Sequence, residues 1–251
     1  MSGDGFLVRS LASTYPDGMV IADHDHPWGQ LVYGRSGVMR VTTEDRAWLA
    51  PATRAVWLPP LRPHSIRMVG TVAMRTLYIA PQIAGPLPPE ACVLEVGPLL
   101  RELVLHILSV GMLAPQIPEQ GRLAGVLVDL IAAAPREDLA LPLPLDPRAL
   151  ALAEQVQAAP DDRTGLGDLA RAAGASLRTL QRIFPRETGL SLEAWRQKAR
   201  LIHAVAVLCA GSSVTGAAMD CGYESPSAFI TAFRRQFGVT PGRYRPSHVG
   251  Q

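Results

Sequence analysis

Cysteine is scarce in this chain, with only Cys92, Cys209 and Cys221 among 251 residues. The number is odd and no two are spaced as CxxC, which excludes a disulfide framework and points to a reducing compartment. Cys209 and Cys221 fall in stretches with helical pattern, which favours burial. Long apolar runs are also missing. No uninterrupted stretch approaches the ~20 residues needed to span a bilayer. The N-terminal MSGDGFLVRS lacks the apolar core of a signal peptide. A soluble, cytoplasmic protein without a membrane partner is therefore expected. Apart from the histidines treated below, no cluster of acids, bases or nucleophiles is visible.

Net charge is small, +2 from 24 Lys/Arg against 22 Asp/Glu, but unevenly spread. Residues 147–251 carry 13 basic against 8 acidic groups, and residues 1–146 carry 11 against 14. A basic half and an acidic half fit a DNA-binding domain joined to one that does not bind DNA. Spacing carries more weight than charge. From Val214 to Arg245 the chain reads as helix, tight turn, helix. Ala217, Ala218 and Met219 give a small apolar face, and Gly222 supplies the turn. Ser225 is placed as an N-cap with Pro226 at the first helical position. Phe229, Phe233 and Phe237 recur every four residues as a buried stripe. Ser227, Thr231, Arg234 and Arg235 occupy the opposite face, which suits a helix lying in a DNA groove.

The pattern occurs twice. From Gly174, anchors fall at Leu180, Phe184, Gly189 and Trp195-Arg196. From Gly222, they fall at Phe229, Phe233, Gly238 and Tyr244-Arg245, after one extra residue in the turn. This is one supersecondary unit used twice. In the first copy Arg178, Gln181 and Arg182 lie one turn apart on the face opposite Leu180 and Phe184. Arg can pair with guanine and Gln with adenine, while Arg186 is placed to meet phosphate. A helix over about Leu192 to Leu208 joins the copies, burying Trp195, Ala199, Ile202, Val205 and Leu208. At about 30 Å it nearly matches the ~34 Å of one DNA turn.

These residues resemble the AraC/XylS family of bacterial transcription regulators. The matching features are Leu169-Ala170, Gly174, Ser176, Leu180-Gln181-Arg182, Phe184 and Thr188-Gly189. The second set runs through Asp220-Cys221-Gly222-Tyr223, Ser225, Phe229, Phe233-Arg234, Gly238, Thr240-Pro241 and Tyr244-Arg245. The resemblance implies two helix-turn-helix units on double-stranded DNA. Its DNA-binding set here is Ser176, Arg178, Thr179, Gln181, Arg182 and Arg186, with Ser225, Ser227, Ala228, Thr231, Arg234 and Arg235. Ala228 and Ile230 stand where family members often have polar groups. The resemblance also implies an operator, a small-molecule effector, a homodimer and contact with RNA polymerase.

Residues 6–80 read as short strands separated by Gly, Pro and Asp turns, in the manner of a small barrel or sandwich. The clearest are Leu31-Val32-Tyr33, Val38 to Thr42, Arg54 to Leu58 and Met74 to Ile79. Pro51 and the run Pro59 to Pro63 mark loops and edges. Gly18, His24, His26, Gln30 and Gly37 then resemble the first motif of the cupin superfamily, with Gln30 in place of Glu. Pro59-Pro60-Leu61-Arg62-Pro63-His64 approximates the second, with Leu61 in place of Gly. Two residues apart on a strand, His24 and His26 face one side, and His64 can join them. Three imidazoles and the Gln30 amide oxygen could hold Zn, Ni, Fe(II) or Cu. Otherwise these groups serve only as hydrogen-bonding residues of a pocket. Trp28, Tyr33 and Trp57 lie nearby, either as ligand-pocket walls or as plain core.

After Ile79 the segment PQIAGPLPPE is expected to end the barrel. Two helices follow, Gly97 to Gly111 and about Glu119 to Ala134, and pack either on the barrel or on a second copy. Three prolines make DLALPLPLDP a stiff linker, after which Asp146 caps a helix opened by Pro147. The expected fold is α+β in two domains: a cupin-like sensor barrel over 1–95 with a helical hairpin over 96–137, then a linker over 138–147. An all-α tandem helix-turn-helix domain occupies 148–251. The expected function is a DNA-binding regulator, not an enzyme, controlled by a small molecule or metal in the barrel. The alternative is a cupin-type metal-dependent dioxygenase fused to a DNA-binding domain.

Overall fold

In a computed structural model, residues 5–244 are described. Arg245, the last residue of the repeated motif, lies outside them. The chain forms two compact units, residues 5–43 with 48–140, and residues 44–47 with 141–244. Among the described residues no helix is long and apolar enough to cross a membrane.

The first unit is built mainly of strands. In order they are β1 (Val8–Tyr15), β2 (Val20–His24), β3 (Gly29–Gly34), β4 (Val38–Thr42), β5 (Arg46–Pro51), β6 (Arg54–Leu58), β7 (His64–Val69), β8 (Val72–Ile79) and β9 (Cys92–Glu95). The helices α1 (Pro98–Val110) and α2 (Pro118–Ala133) follow, then the short strands β10 (Arg136–Glu137) and β11 (Ala140–Pro142). Two sheets result, ordered β1-β8-β3-β6-β9-β10 and β11-β5-β4-β7-β2. The proline-rich segment after Ile79 does not end the sheet. The Trp57 indole N–H donates to the Pro88 carbonyl at 2.8 Å, which turns the chain back. Cys92–Glu95 then pairs antiparallel with β6.

Alternation along β3 and β8 sorts the core. Leu31, Tyr33, Trp57, Leu77 and Ile79 share one face of the first sheet, through the partners Leu31↔Trp57 and Leu31↔Leu77. Against them pack Leu100, Leu103, Val104 and Ile107 of α1, with Ala124, Leu127, Val128 and Ile131 of α2. Each such Leu or Ile stabilises by about 1.5–3 kcal/mol when fully buried. The buried faces of the hairpin thus pack on its own sheet.

The turn between β6 and β7 holds a strained residue. Leu61 has φ +60°, the left-handed region, and is 66% exposed. It is the leucine that stands in place of Gly in the motif resemblance. Its N–H donates to the His26 carbonyl at 2.9 Å.

The second unit is helical: α3 (Pro147–Ala158), α4 (Leu166–Ala172), α5 (Leu177–Thr188), α6 (Leu192–Cys209), α7 (Val214–Asp220) and α8 (Pro226–Phe237), closed by a 3-10 turn at Pro241–Tyr244. Asp146 caps α3, and Ser176, Ser191, Ser213 and Ser225 cap α5 to α8, each accepting a backbone N–H. The repeat expected from spacing is seen in detail. Gly174 and Gly222 both turn at φ +72°. α5 and α8 each run 12 residues and end at a left-handed glycine, Gly189 and Gly238, both at φ +73°. Phe184 meets Trp195 edge-on at 5.3 Å, and Phe229 meets Phe233 likewise at 5.5 Å. Phe237 completes its stripe only half-buried.

The expected stiff linker is bound rather than free. Pro142 accepts from the Trp195 indole N–H at 2.6 Å, and Leu143 N–H donates to the Asp45 carbonyl at 2.8 Å. The Glu187 carboxylate accepts the N–H groups of Leu145 and Asp146, both at 2.9 Å. Prolines exclude helix here, but they leave carbonyls and intervening N–H groups available for such pairing.

Two expectations follow. Leu61→Gly relieves a left-handed side chain and is expected to raise stability by about 0.5–1 kcal/mol in calorimetric melting. Glu187→Ala removes the acceptor of two N–H groups, that of Leu145 open to water, and is expected to cost about 0.5–1.5 kcal/mol. The Arg186 guanidinium, then the Asp146 N–H, holds the Glu187 carboxyl below its usual range. Its stabilisation is therefore present above the ordinary carboxyl pKa and is lost as pH falls through the lowered one. The gap between wild type and Glu187→Ala in chemical denaturation should narrow as pH falls below the ordinary carboxyl range.

Candidate nucleic-acid interface and histidine cluster

On α5 the buried side is Leu180, Ile183 and Phe184. Arg178, Gln181, Arg182, Pro185 and Arg186 are exposed. Three of the residues expected to read bases thus share one outward stripe. Gln181 is not loose on it: its amide donates to the Glu193 carboxylate of α6 at 3.2 Å. Arg186 donates to Glu187 at 2.8 Å. The Ser176 hydroxyl accepts the Thr179 N–H at 3.1 Å and shares a 2.8 Å hydrogen bond with the Thr179 hydroxyl. These two are therefore engaged in capping.

On α8 Ser227, Ala228, Ile230, Thr231, Arg234 and Arg235 are exposed, and Phe229, Ala232 and Phe233 are buried. Ser225 accepts the Ala228 N–H at 3.2 Å. The Thr231 hydroxyl donates back to the Ser227 carbonyl at 2.9 Å. Arg235 donates to the Gln197 side chain of α6 at 3.0 Å, leaving Arg234 as the outer cation of the pair. The partners Glu193 and Gln197 escape sequence reading, because the contacts span 12 and 38 residues. Both are set by the crossing of α6 behind the recognition helices. The 18 residues of α6 extend about 27 Å at 1.5 Å per residue.

In the first unit His24, His26 and His64 come together, one ring nitrogen of each lying within 4.8 Å of the others. His24 ends β2 and pairs with His64, the first residue of β7. A register shift between Ile21 and His24 bends β2 there. His26 lies beyond the strand, so its approach comes from the loop rather than from strand alternation. The ring centroids are 4.4 Å apart for His24–His64 and 5.3 Å for His26–His64.

Hydrogen bonding sets the lone pairs. Each Nδ1 lies 2.7–2.8 Å from a backbone carbonyl, those of Ala22, Trp28 and Arg62. Nδ1–H therefore donates and Nε2 carries the lone pair in each neutral ring. Gln30 is 1% exposed, and its amide N–H donates to the Thr76 hydroxyl at 3.1 Å. That hydroxyl in turn donates to the Leu31 carbonyl at 3.0 Å. The Gln30 oxygen is thus aimed at His26 Nε2, 3.1 Å away. That contact is a hydrogen bond when Nε2 carries a proton, and two acceptors side by side when it does not. His64 is fully buried, and burial pushes its pKa down to about 4, so it is neutral. Its Nε2 is a buried atom with no hydrogen-bond partner among the described residues. Three imidazole lone pairs and one amide oxygen fit a divalent metal of borderline softness.

The aromatic expectations are corrected by alternation. Tyr33 and Trp57 are 2% and 1% exposed and lie in the cluster beneath α1 and α2, on the face opposite Gln30. They are core against the hairpin, not walls beside the histidines. Trp28 is half-buried with the Arg9 guanidinium 4.5 Å above its ring. Tyr78, unmarked in the sequence, does belong to the site: its ring meets His26 edge-on at 5.1 Å. It pairs across the sheet with both Gln30 and Arg9, so the three share a face.

A helix-turn-helix domain model matches residues 169–247, and an AraC-like ligand binding domain model matches residues 8–152. The chain is 35% identical over 221 residues to the HTH-type transcriptional regulator NimR of Escherichia coli K12, covering 88% of this chain and 81% of that protein. It is 36% identical over 109 residues to the HTH-type transcriptional regulator RipA of Corynebacterium glutamicum, covering 43% of this chain and 33% of that protein. The crystal structure of ToxT from Vibrio cholerae aligns over 97% of this chain and 96% of that one, at 14% identity and a TM-score of 0.39. The chain belongs to the AraC-type helix-turn-helix transcriptional regulators: a DNA-binding protein that carries an AraC-like ligand-binding domain.

Proposed function

We propose that this regulator reads its operator through α5 and α8 and is controlled by a small molecule held in the first unit. The repeated helix–turn–helix with two outward polar stripes carries the reading. Arg178, Gln181 and Arg182 supply base contacts on α5, and Ser227, Ala228, Thr231 and Arg234 do so on α8. Arg186 and Arg235 lie flanking for phosphates, as do the capped N-termini at Ser176, Thr179 and Ser225. The length of α6 supports entry of both helices into successive major grooves on one face of the duplex. Likeness to a transcriptional regulator over 88% of the chain supports regulation rather than turnover. The hairpin's exposed Leu99 and Val126 suit the homodimer implied by family resemblance. A cytoplasmic site and contact with RNA polymerase complete the reading.

At the sensor, His24, His26, His64 and the Gln30 oxygen would hold a divalent ion, Zn, Ni, Fe(II) or Cu. When bound, the ion would supply a Lewis-acidic seat for an effector's donor atom. The chain's own part is orientation. Three carbonyls hold the imidazole tautomers, and Thr76 holds the Gln30 amide. Such outer contacts fix ring direction and raise ligand basicity.

Two measurements test the proposal. Arg182→Ala is expected to weaken operator binding by about 1–3 kcal/mol and blur one base position. Equal loss on operator and random DNA would remove base reading by this residue. Elemental analysis of full-length protein, purified without chelator or metal-affinity tag, should find about one divalent ion per chain. His26→Ala should lose that ion and the effector response while keeping basal DNA binding. An ion-free wild type, together with a His26→Ala variant that still responds, would leave the histidines as pocket groups only.

A further inference from the structure

Helix α5 contains a residue that its own stability argues against. Pro185 is the ninth of its 12 residues, well past the first turn where proline is tolerated. Proline has no N–H, so the bond that position 185 would give the Gln181 carbonyl is missing, and its ring crowds that carbonyl. Yet the helix continues, and the Pro185 carbonyl accepts the Gly189 N–H at 3.1 Å. No burial offsets the disadvantage, because Pro185 is exposed.

Its place on the helix is informative. At about 100° per residue, Pro185 lies between Gln181 and Arg182 on the wheel, opposite Leu180, Ile183 and Phe184. It therefore sits in the middle of the outward stripe, flanked by hydrogen-bond donors. The ring itself offers only methylene groups in one conformation, with no rotamer entropy to lose on contact. In the major groove the apolar feature that distinguishes bases is the 5-methyl of thymine. We propose that Pro185 is a specificity-determining residue whose ring packs on a thymine methyl in the major groove. That thymine lies one or two base pairs from the position met by Arg182, because three residues advance about 4.5 Å along the axis.

The inference rests on the reading that α5 enters the groove, and its test separates the two. An operator is first selected from random duplexes with the full chain. Each thymine is then replaced singly by deoxyuridine, which removes the methyl and keeps the base's hydrogen-bonding groups. Wild type is expected to lose about fourfold in affinity at one position, the value of one buried methyl. Pro185→Ala should bind the natural operator about fourfold more weakly and be insensitive to deoxyuridine at that position. The same variant should melt several degrees higher, a split that a structural role for the ring would reverse. Equal deoxyuridine sensitivity of wild type and Pro185→Ala at every thymine overturns the proposal. If Arg182→Ala also leaves every base preference unchanged, groove entry by α5 fails as well.

Discussion

The two-residue period of β3 and β8 is the constraint on which the first unit depends. A strand shows each side chain to one face only. Gln30 therefore looks toward His26, while Leu31 and Tyr33 look toward α1 and α2. Shifting the register by one residue would exchange these sets, placing an amide under the hairpin and a leucine among the imidazoles. The buried apolar face resists that exchange strongly. Core packing and site geometry are thus one choice of register, and Thr76 serves both by holding the Gln30 amide against the Leu31 carbonyl.

In the second unit the equivalent constraint is the pair of glycine turns. At φ +72° Gly174 and Gly222 let the Ala175 N–H reach the Ala170 carbonyl and the Tyr223 N–H reach the Ala218 carbonyl. The same closure used twice sets the same entry into α5 and α8. Ser176 follows Gly174 by two residues and Ser225 follows Gly222 by three, so the extra residue falls in the turn and leaves both helices equal. Trp195 then joins the first copy to α6 through Phe184, and its indole N–H fastens the preceding segment at Pro142. An exposed recognition stripe can be precise only if the buried side of its helix is held this way.

Much of this was legible in the sequence, for physical reasons that also explain what was not. Repeated offsets from Gly174 and Gly222 mark both helix-turn-helix units, since helix caps and stripes are local. The hairpin shows in its 3.6-residue period. Strands β3, β4, β6 and β8 show in their β-branched runs. β9 is hidden behind the prolines of residues 81–89, and its pairing with β6 is a long-range event. The facing of Tyr33 was open to inference, being three residues from Gln30 and hence on the other face. Tyr78 had no such signal, because only the pairing of β8 with β3 brings it to His26. Pairs such as Gln181–Glu193 depend on how α6 crosses, which periodicity does not encode.

Three residues of the two candidate sites go against stability. Among the described residues Leu61 is the one non-glycine at positive φ. Pro185 is the one proline inside a helix beyond its start. His64 is a buried imidazole whose Nε2 lacks a hydrogen-bond partner. Each is a disadvantage of about 0.5–3 kcal/mol, against the 5–15 kcal/mol typical of a whole domain. Leu61 stands in the turn that leads to His64, with its N–H bonded to the His26 carbonyl. Pro185 stands amid the outward stripe of α5. A fold shaped by stability alone would have no use for a left-handed leucine or a mid-helix proline, and both stand beside the side chains proposed to act.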